Sequence, residues 1–504
     1  MGQRSPSARA HGRITGSVRQ ILNLETAIAV AVLLMLLWRR KRRGEEAHQQ
    51  DEKNRFSIDS SDIARMAAVA LLAALAYRKA AQSYFLSDDF VLINMARAFH
   101  ASAEAGKYAV MFTHGGGDGF FRPLGYLSLF WTWPWAGLDP ARWHAIALSL
   151  HMVNAVLVYV LAAAMGWTRA GAWLASALFA IDAAHPEAVA WVAGRFDVLA
   201  ALFVLAALIA FVRLWEQPSA LAGTVAALAM TLGILTKESA YAAPLMMLVF
   251  AASKPASWTR RLRFAAPFFA VAAALFAYRW ALQGGIGGYV TASGTPQIFE
   301  LNPVSAGKAL LLRLWAVLFF PVDWAAGAPV WLISAALVYA AVWIAMAMTA
   351  RAQRIGLALG FALAAAIPPV QQLLIGADLE KARLLYLPSL GFCLLAAAVM
   401  EGSRWELRVP AGLALLAFSS AALLHNLSIR ETVAGKAKTV CQAVASCSNP
   451  EAVHGIPGSI DGVYFFANGL PECARLEQEQ RAAAPQHTCS LTWDAKTREL
   501  RAGP

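Results

Sequence analysis

HPEAVAWVAGRFD, His185–Asp197, joins two apolar runs, Ala170–Ala184 and Val198–Val212, each long enough or nearly so to cross a bilayer. A transmembrane hairpin needs only a short polar turn at such a place. This turn instead carries a His, a Glu, an Arg and an Asp beside hydrocarbon. Charges there are costly, so they are paired, face a wet cavity, or act on a substrate.

The rest of the chain has the same character. Of its 504 residues, 59% are hydrophobic and 15% charged, with a mean hydropathy of +0.51. Soluble domains carry roughly 25% charged residues. Repeated apolar blocks separated by short polar punctuation predict an all-α polytopic membrane protein. A net charge of +12 raises nucleic acid as a partner, but the basic residues sit in short loops between apolar runs, so topology explains them and no nucleic acid is expected. Four of the five Cys (Cys441, Cys447, Cys473, Cys489) fall in the polar C-terminal segment. Their spacing suits two disulfides in an oxidising compartment, of unspecified connectivity, better than a zinc site.

Loop charge sets the orientation. Ile21–Trp38 is apolar and runs into Arg39, Arg40, Lys41, Arg42 and Arg43, which places its C-terminal end in the cytoplasm. Residues 1–62 then form a basic N-terminal segment with an extra membrane helix and a cytoplasmic linker. Ile63–Phe85 leads outward to Ser-Asp-Asp-Phe (Ser87–Phe90), and a long aromatic loop to about Trp143 suits helices lying in the interface. Apolar runs at His144–Met165, Ala170–Ala184, Val198–Trp215, Ala220–Thr236, Ser239–Ala252, Phe264–Leu282, Pro329–Ala350, Ile355–Ile375, Leu385–Met400 and Val409–Leu427 follow. Val304–Phe320, interrupted by Lys308 and Arg313, is expected to be half-embedded, because a crossing there would put Arg351 and Arg354 outside and the Cys-rich tail inside. This predicts about 11–12 spans, a membrane domain over 63–427 and an extracytoplasmic tail over 428–504.

With this topology the unusual polar groups gather on one outer face: Asp88-Asp89, His185/Glu187/Arg195/Asp197, Lys237-Glu238 and Glu380/Arg383. A transporter would carry charges or broken helices near mid-membrane. An active site at the outer lip, open to a lipid-borne substrate, fits better. A flippase of lipid-linked saccharides and a non-catalytic scaffold for the tail are the alternatives.

SDDF, FFRPLGYLSLF (Phe120–Phe130), HPEAVAWVAGRFDVLAALFVLAALIAF (His185–Phe211), TKESAYAAPLMML (Thr236–Leu248) and EKARLLYLPSLGF (Glu380–Phe392) occur in this order. Together they resemble the integral-membrane glycosyltransferases of the C-type fold, closest to the branch of transmembrane and tetratricopeptide-repeat O-mannosyltransferases and their bacterial relatives. The resemblance covers about residues 63–427; no tetratricopeptide repeats follow, and a Cys-rich tail takes their place. It implies transfer of a sugar from a polyprenyl-phosphate carrier to an acceptor hydroxyl on the periplasmic side of the inner membrane, by an inverting displacement.

The residue types suit that chemistry. A carboxylate serves as general base for a hydroxyl, here Asp89 or Asp88, with Asp89 slightly favoured. Cations stabilise the departing lipid phosphate. The candidates are Arg195, Lys237, Arg383 and Arg122, with His185, Glu187, Glu238 and Glu380 in the same walls. A divalent metal on Asp88 and Asp89 is a further expectation, as some family members use one. Each residue also has a plainer role. Ser87-Asp88-Asp89 reads equally as a helix cap, Glu187–Arg195 as a structural ion pair, His185-Pro186 as a helix end, Asp197 as a cap or arginine partner, Lys237-Glu238 as an interfacial pair, and Arg122 and Arg383 as loop anchors.

Overall fold

The computed structural model describes residues 23–37, 58–104, 106–114, 119–289, 296–300, 302–350, 354–447, 453–481 and 490–502. The basic block Arg39–Arg43, Arg351 and Cys489 lie outside them. Helices α1 (Asn23–Leu37) and α2 (Ser60–Ala76) precede an outer layer of α3 (Asp88–Ala101), α4 (Lys107–Thr113), α5 (Pro123–Phe130) and α6 (Trp133–Ala136). The bundle continues with α7 (Pro140–Ala164), α8 (Arg169–Ala180), the short α9 (Pro186–Val189), α10 (Arg195–Glu216), α11 (Ala220–Thr236), α12 (Ala243–Ala252) and α13 (Trp258–Gln283). After α14 (Pro303–Lys308) and α15 (Leu314–Phe319) come α16 (Val330–Thr349), α17 (Ile355–Ala366), α18 (Pro388–Gly402), α19 (Trp405–Ala445) and α20 (Leu470–Arg481). Five of these, α7, α10, α13, α16 and α19, are long and apolar enough to cross a membrane; α1, α11, α12, α17 and α18 are shorter apolar helices. The protein is thus a multi-pass helical membrane protein.

Local chemistry starts the helices where the apolar runs begin. Asp139, Thr168, Ser219 and Ser257 each cap a helix by accepting a backbone N–H from its first turn, which satisfies donors that hydrocarbon could not. The closest helix pairs, α10 with α11 and α17 with α18, bury many alanines, among them Ala200, Ala207, Ala226, Ala358, Ala362 and Ala396. Lipid supplies no hydrophobic drive between helices, so small residues that let backbones approach are what hold such pairs.

Residues 303–319 are helical with one wider turn over Ala309–Arg313. Arg313 donates to the carbonyls of Ile375 and Gly376, and the Trp324 N–H donates to Ala377 O at 2.9 Å. Residues on either side of α15 thus contact the same loop, Ile375–Ala377.

The expected boundary at residue 428 does not divide the chain. Helix α19 has 41 residues, about 60 Å at ~1.5 Å per residue, twice a hydrocarbon core of about 30 Å. It runs straight through 428, and its far half is wrapped by the C-terminal segment. That segment contains α20, a hairpin of β2 (Ser459–Ile460) with β3 (Val463–Tyr464), and a sheet in which β4 (Leu491–Asp494) lies between β1 (Val453–His454), parallel, and β5 (Glu499–Ala502), antiparallel. A single outer core joins Phe90 and Ile93 of α3, Tyr126 and Phe130 of α5, Trp191 and Phe196, Val433 and Val440 of α19, and Phe465 and Phe466 of the tail. The tail is built into the outer layer.

A disulfide, Cys441–Cys473, ties α19 to α20 across 32 residues of sequence; Cys447 is also disulfide-bonded. Closing a loop of that length restricts the unfolded chain by about 3–4 kcal/mol. Cys441→Ala/Cys473→Ala is expected to lower tail stability by that order. Hydrogen exchange over α20 checks it, and unchanged protection would show that the outer core alone holds the segment.

Candidate active site

One cavity of about 1070 Å³ lies between α3, α4, α5 and the loops that carry Trp191, Lys237 and Arg383. Its lining combines apolar and aromatic residues, Val91, Leu92, Met95 and Phe99 of α3, Met111 of α4 and Tyr126 of α5, with the polar Asp88, Arg122, Lys237, Arg383, Tyr289 and Asn468. Four of the candidate site residues, Asp88, Arg122, Lys237 and Arg383, are thus brought together from four separate parts of the chain.

The two carboxylates of the SDDF segment part company. Asp89 is 1% exposed; its Oδ1 accepts the Ala193 N–H at 2.9 Å and its Oδ2 the Leu86 N–H at 3.1 Å. Burial pushes its carboxyl up to about 7, against the pull of those two amides. With Trp191 Nε1 donating to Leu86 O at 3.0 Å, Asp89 pins the SDDF turn to the opening HPEAVAWVAGRFD stretch. Asp88, one residue earlier, is partly exposed and lines the cavity. Its Oδ1 accepts the Asn468 amide at 2.7 Å, and among the described residues its Oδ2 accepts nothing. The slight preference for Asp89 as base is therefore reversed: position in the cavity favours Asp88.

Each cavity cation has a carboxylate behind it. Arg122 pairs with Glu238 (Nε–Oε2 2.9 Å, Nη2–Oε2 2.7 Å), and Arg279 approaches the same carboxylate at 3.5 Å. Lys237 Nζ donates to Asp197 at 2.5 Å. Arg383 pairs with Glu187 and lies by the rings of Trp191 (5.0 Å) and Tyr464 (5.3 Å). Arg430, buried on α19, is near enough to feel Glu187, Asp89 and Arg383. The pairs orient the cavity's guanidinium and ammonium groups, which are the donors a phosphate would need.

The other candidates are structural. Arg195 is fully buried, donates to Thr132 Oγ1 and Trp143 O at 2.8 Å each, and stacks on the Trp143 ring at 5.3 Å. It holds the helices α5–α7 to α10 and does not line the cavity. Its place is forced by Gly194, where a Cβ would lie 2.3 Å from Glu187 O. His185 is buried and bonds Ser389 Oγ at 2.8 Å. Glu187 and Arg195 do not pair with each other; Glu187 belongs to Arg383. Glu380 does not line the cavity; its N–H donates to Asp378 at 3.3 Å. Arg195→Ala is expected to destabilise by about 3 kcal/mol, from lost volume and two orphaned acceptors. Thermal melting in detergent reads this, and an unchanged melt with lost donor binding would return Arg195 to the substrate.

For a divalent ion the carboxylate pair offers chiefly Asp88 Oδ2, so any ion there would need phosphate oxygens and water to complete its shell. Both Asp89 oxygens accept backbone amides, one Asp88 oxygen accepts Asn468, and among the described residues no three His, Cys, Asp or Glu side chains converge.

Asn468, Tyr464 and Tyr289 were not legible as site residues. Their signal in the sequence is only that Asn468 lies five residues before a cysteine of the tail.

Comparison with known proteins agrees with the sequence reading. No family model matches the chain. It is 30% identical over 163 residues to the protein O-mannosyl-transferase Tmtc1 of Drosophila melanogaster (31% of this chain, 19% of that protein). It is 37% identical over 98 residues to TMTC1 of Mus musculus (19% and 10%). These matches bear out the resemblance to the O-mannosyltransferases, and the chain spans less than a fifth of the length of either relative. Among solved structures, ArnT from Cupriavidus metallidurans bound to undecaprenyl phosphate aligns with a TM-score of 0.39 at 15% identity, covering 86% of this chain and 90% of that one.

Proposed function

We propose that the protein is a membrane glycosyltransferase that moves a sugar from a polyprenyl-phosphate carrier to an acceptor hydroxyl outside the cytoplasm. The observation that carries this is a single cavity in which Asp88 faces a wall of Arg122, Lys237 and Arg383. Its mixed lining suits the donor: apolar and aromatic residues for the first prenyl units and cations for the phosphate. The similarity to O-mannosyl-transferases supports sugar transfer, with mannose the first sugar to try.

In this reading the acceptor hydroxyl lies against Asp88. As its oxygen bonds to the anomeric carbon, Asp88 takes the proton, and the bond from that carbon to the phosphate oxygen breaks. The electron pair stays on the lipid phosphate, whose added charge Arg383, Lys237 and Arg122 stabilise. One displacement with one base inverts the anomeric centre, and no second carboxylate has to act as nucleophile. Asp89, held by two amides, keeps the turn in place beneath Asp88.

The test is the full chain in liposomes with undecaprenyl-phosphate carrying radiolabelled mannose, glucose or N-acetylglucosamine. A Ser/Thr-containing peptide is the acceptor, and water the default one. Label leaving the lipid phase supports the reading. Movement of intact lipid between leaflets with no release of sugar from any donor would replace it with a flippase.

A further inference from the structure

The mechanism above leaves unused what the C-terminal segment does at the cavity. Its residues reach both catalytic walls. Asn468 Nδ2 donates to Asp88 Oδ1 at 2.7 Å, and the Asn468 N–H donates to Ser87 Oγ at 3.3 Å. Four residues earlier, Tyr464 stacks on Trp191 (centroids 5.1 Å apart), and the Arg383 guanidinium lies 5.3 Å from the Tyr464 ring beside that stack. Between them, Phe465 O accepts the Ser87 N–H at 3.0 Å and Phe466 stacks on Phe90 at 5.9 Å.

The docking leaves little slack. Ser87 has φ +46°, a conformation that costs a non-glycine residue roughly 1–3 kcal/mol, and its N–H and hydroxyl are both engaged by the tail. Gly469, with φ +86°, sits where a Cβ would lie 2.5 Å from Ser87 O. The Cys441–Cys473 disulfide fixes the far end of the same segment to α19.

We propose that Asn468 is a positioning residue for Asp88, carried into the active site by the disulfide-tied C-terminal segment, with Tyr464 playing the matching part for Arg383. This rests on the glycosyl-transfer reading. The amide holds one Asp88 oxygen by a charge-assisted hydrogen bond, leaving the other turned to the acceptor hydroxyl. Asn468, Gly469 and Glu472 also line the cavity with Asp88, so the tail forms part of the cavity wall.

The test uses the full chain in liposomes, with whichever sugar donor the wild type consumes, and compares Asn468→Asp, Asn468→Ala and wild type across pH. Asn468→Asp places a second carboxylate against Asp88. The acidic limb of the rate profile is expected to move up by about one pH unit or more. Asn468→Ala is expected to lower kcat about tenfold, with KM for the lipid donor within about twofold of wild type. Tyr464→Leu instead is expected to raise donor KM.

A purely structural role predicts something else: no movement of the pH limb, and losses that track the melting temperature of each variant. That result overturns the inference and leaves the glycosyl-transfer reading intact. A wild type that releases sugar from no donor overturns both.

Discussion

Asp88→Asn is expected to lower kcat/KM for sugar transfer by about 10²–10⁴-fold, the span general-base catalysis contributes, with the melting temperature and undecaprenyl-phosphate binding nearly unchanged. The side chain keeps its shape and its contact with Asn468 but can no longer take a proton. Asp89→Asn is expected to do the reverse. Its two oxygens accept two backbone amides, and an asparagine offers one oxygen. One buried N–H is then left unpaired at a cost of about 1–3 kcal/mol, and transfer falls only as folded protein is lost.

The pair also differs in its pH dependence. The folded-state value of Asp89, about 7, lies above the ordinary carboxylate value. Its contribution to stability is therefore full below about pH 4 and lost as pH rises through 7. Asp89→Asn should flatten the melting-temperature curve over that window. Equal loss of transfer in both variants without loss of folding would refute the division of roles.

Arg383→Ala carries the second large effect. The guanidinium faces the cavity, pairs with Glu187 and lies by two aromatic rings. Its removal strips one cation from the phosphate site and strands the buried Glu187 carboxylate, which is left with Arg430 as its neighbouring cation. A fall of about 10²–10³-fold in kcat/KM is expected, the scale of losing one oxyanion-stabilising group. Arg383→Ala/Glu187→Gln is expected to regain part of the loss, because the stranded charge goes with its partner. Steady-state rates for the four members of the cycle decide it. Additive losses would mean that the two side chains do not work as a unit.

Much of this was legible in the sequence. Apolar runs of membrane length, with basic loops between them, require helices, and α11 falls on the expected Ala220–Thr236. Other boundaries moved because capping residues, rather than hydropathy, set them. α7 begins at Pro140 behind Asp139, four residues before the first apolar position expected. The gathering of Asp88, Lys237 and Arg383 was also expected, since each borders an apolar run on the same face, while Arg122 joins them from the long aromatic loop.

What the sequence could not decide was which of neighbouring groups does what. Asp88 and Asp89 are adjacent in the first turn of one helix and point about 100° apart. Which one meets the cavity depends on the rotation of α3, set by the amides of Ala193 and Leu86 and by a tail some 380 residues away in the chain. Arg195 read as a ligand because a charge beside hydrocarbon is costly. Trp143 O and Thr132 meet that cost in the fold, and neither is visible as a partner from spacing alone.

The chain's patterning, then, determined a helical membrane protein with its polar groups on one face, because hydrocarbon punishes any other arrangement along the whole length of a span. Only the tertiary structure assigned HPEAVAWVAGRFD to the wall behind the cavity, Asp88 to its mouth and the cysteine-tied tail to its rim. Those assignments depend on hydrogen bonds a few ångströms long between segments hundreds of residues apart, and neither periodicity nor composition records such distances.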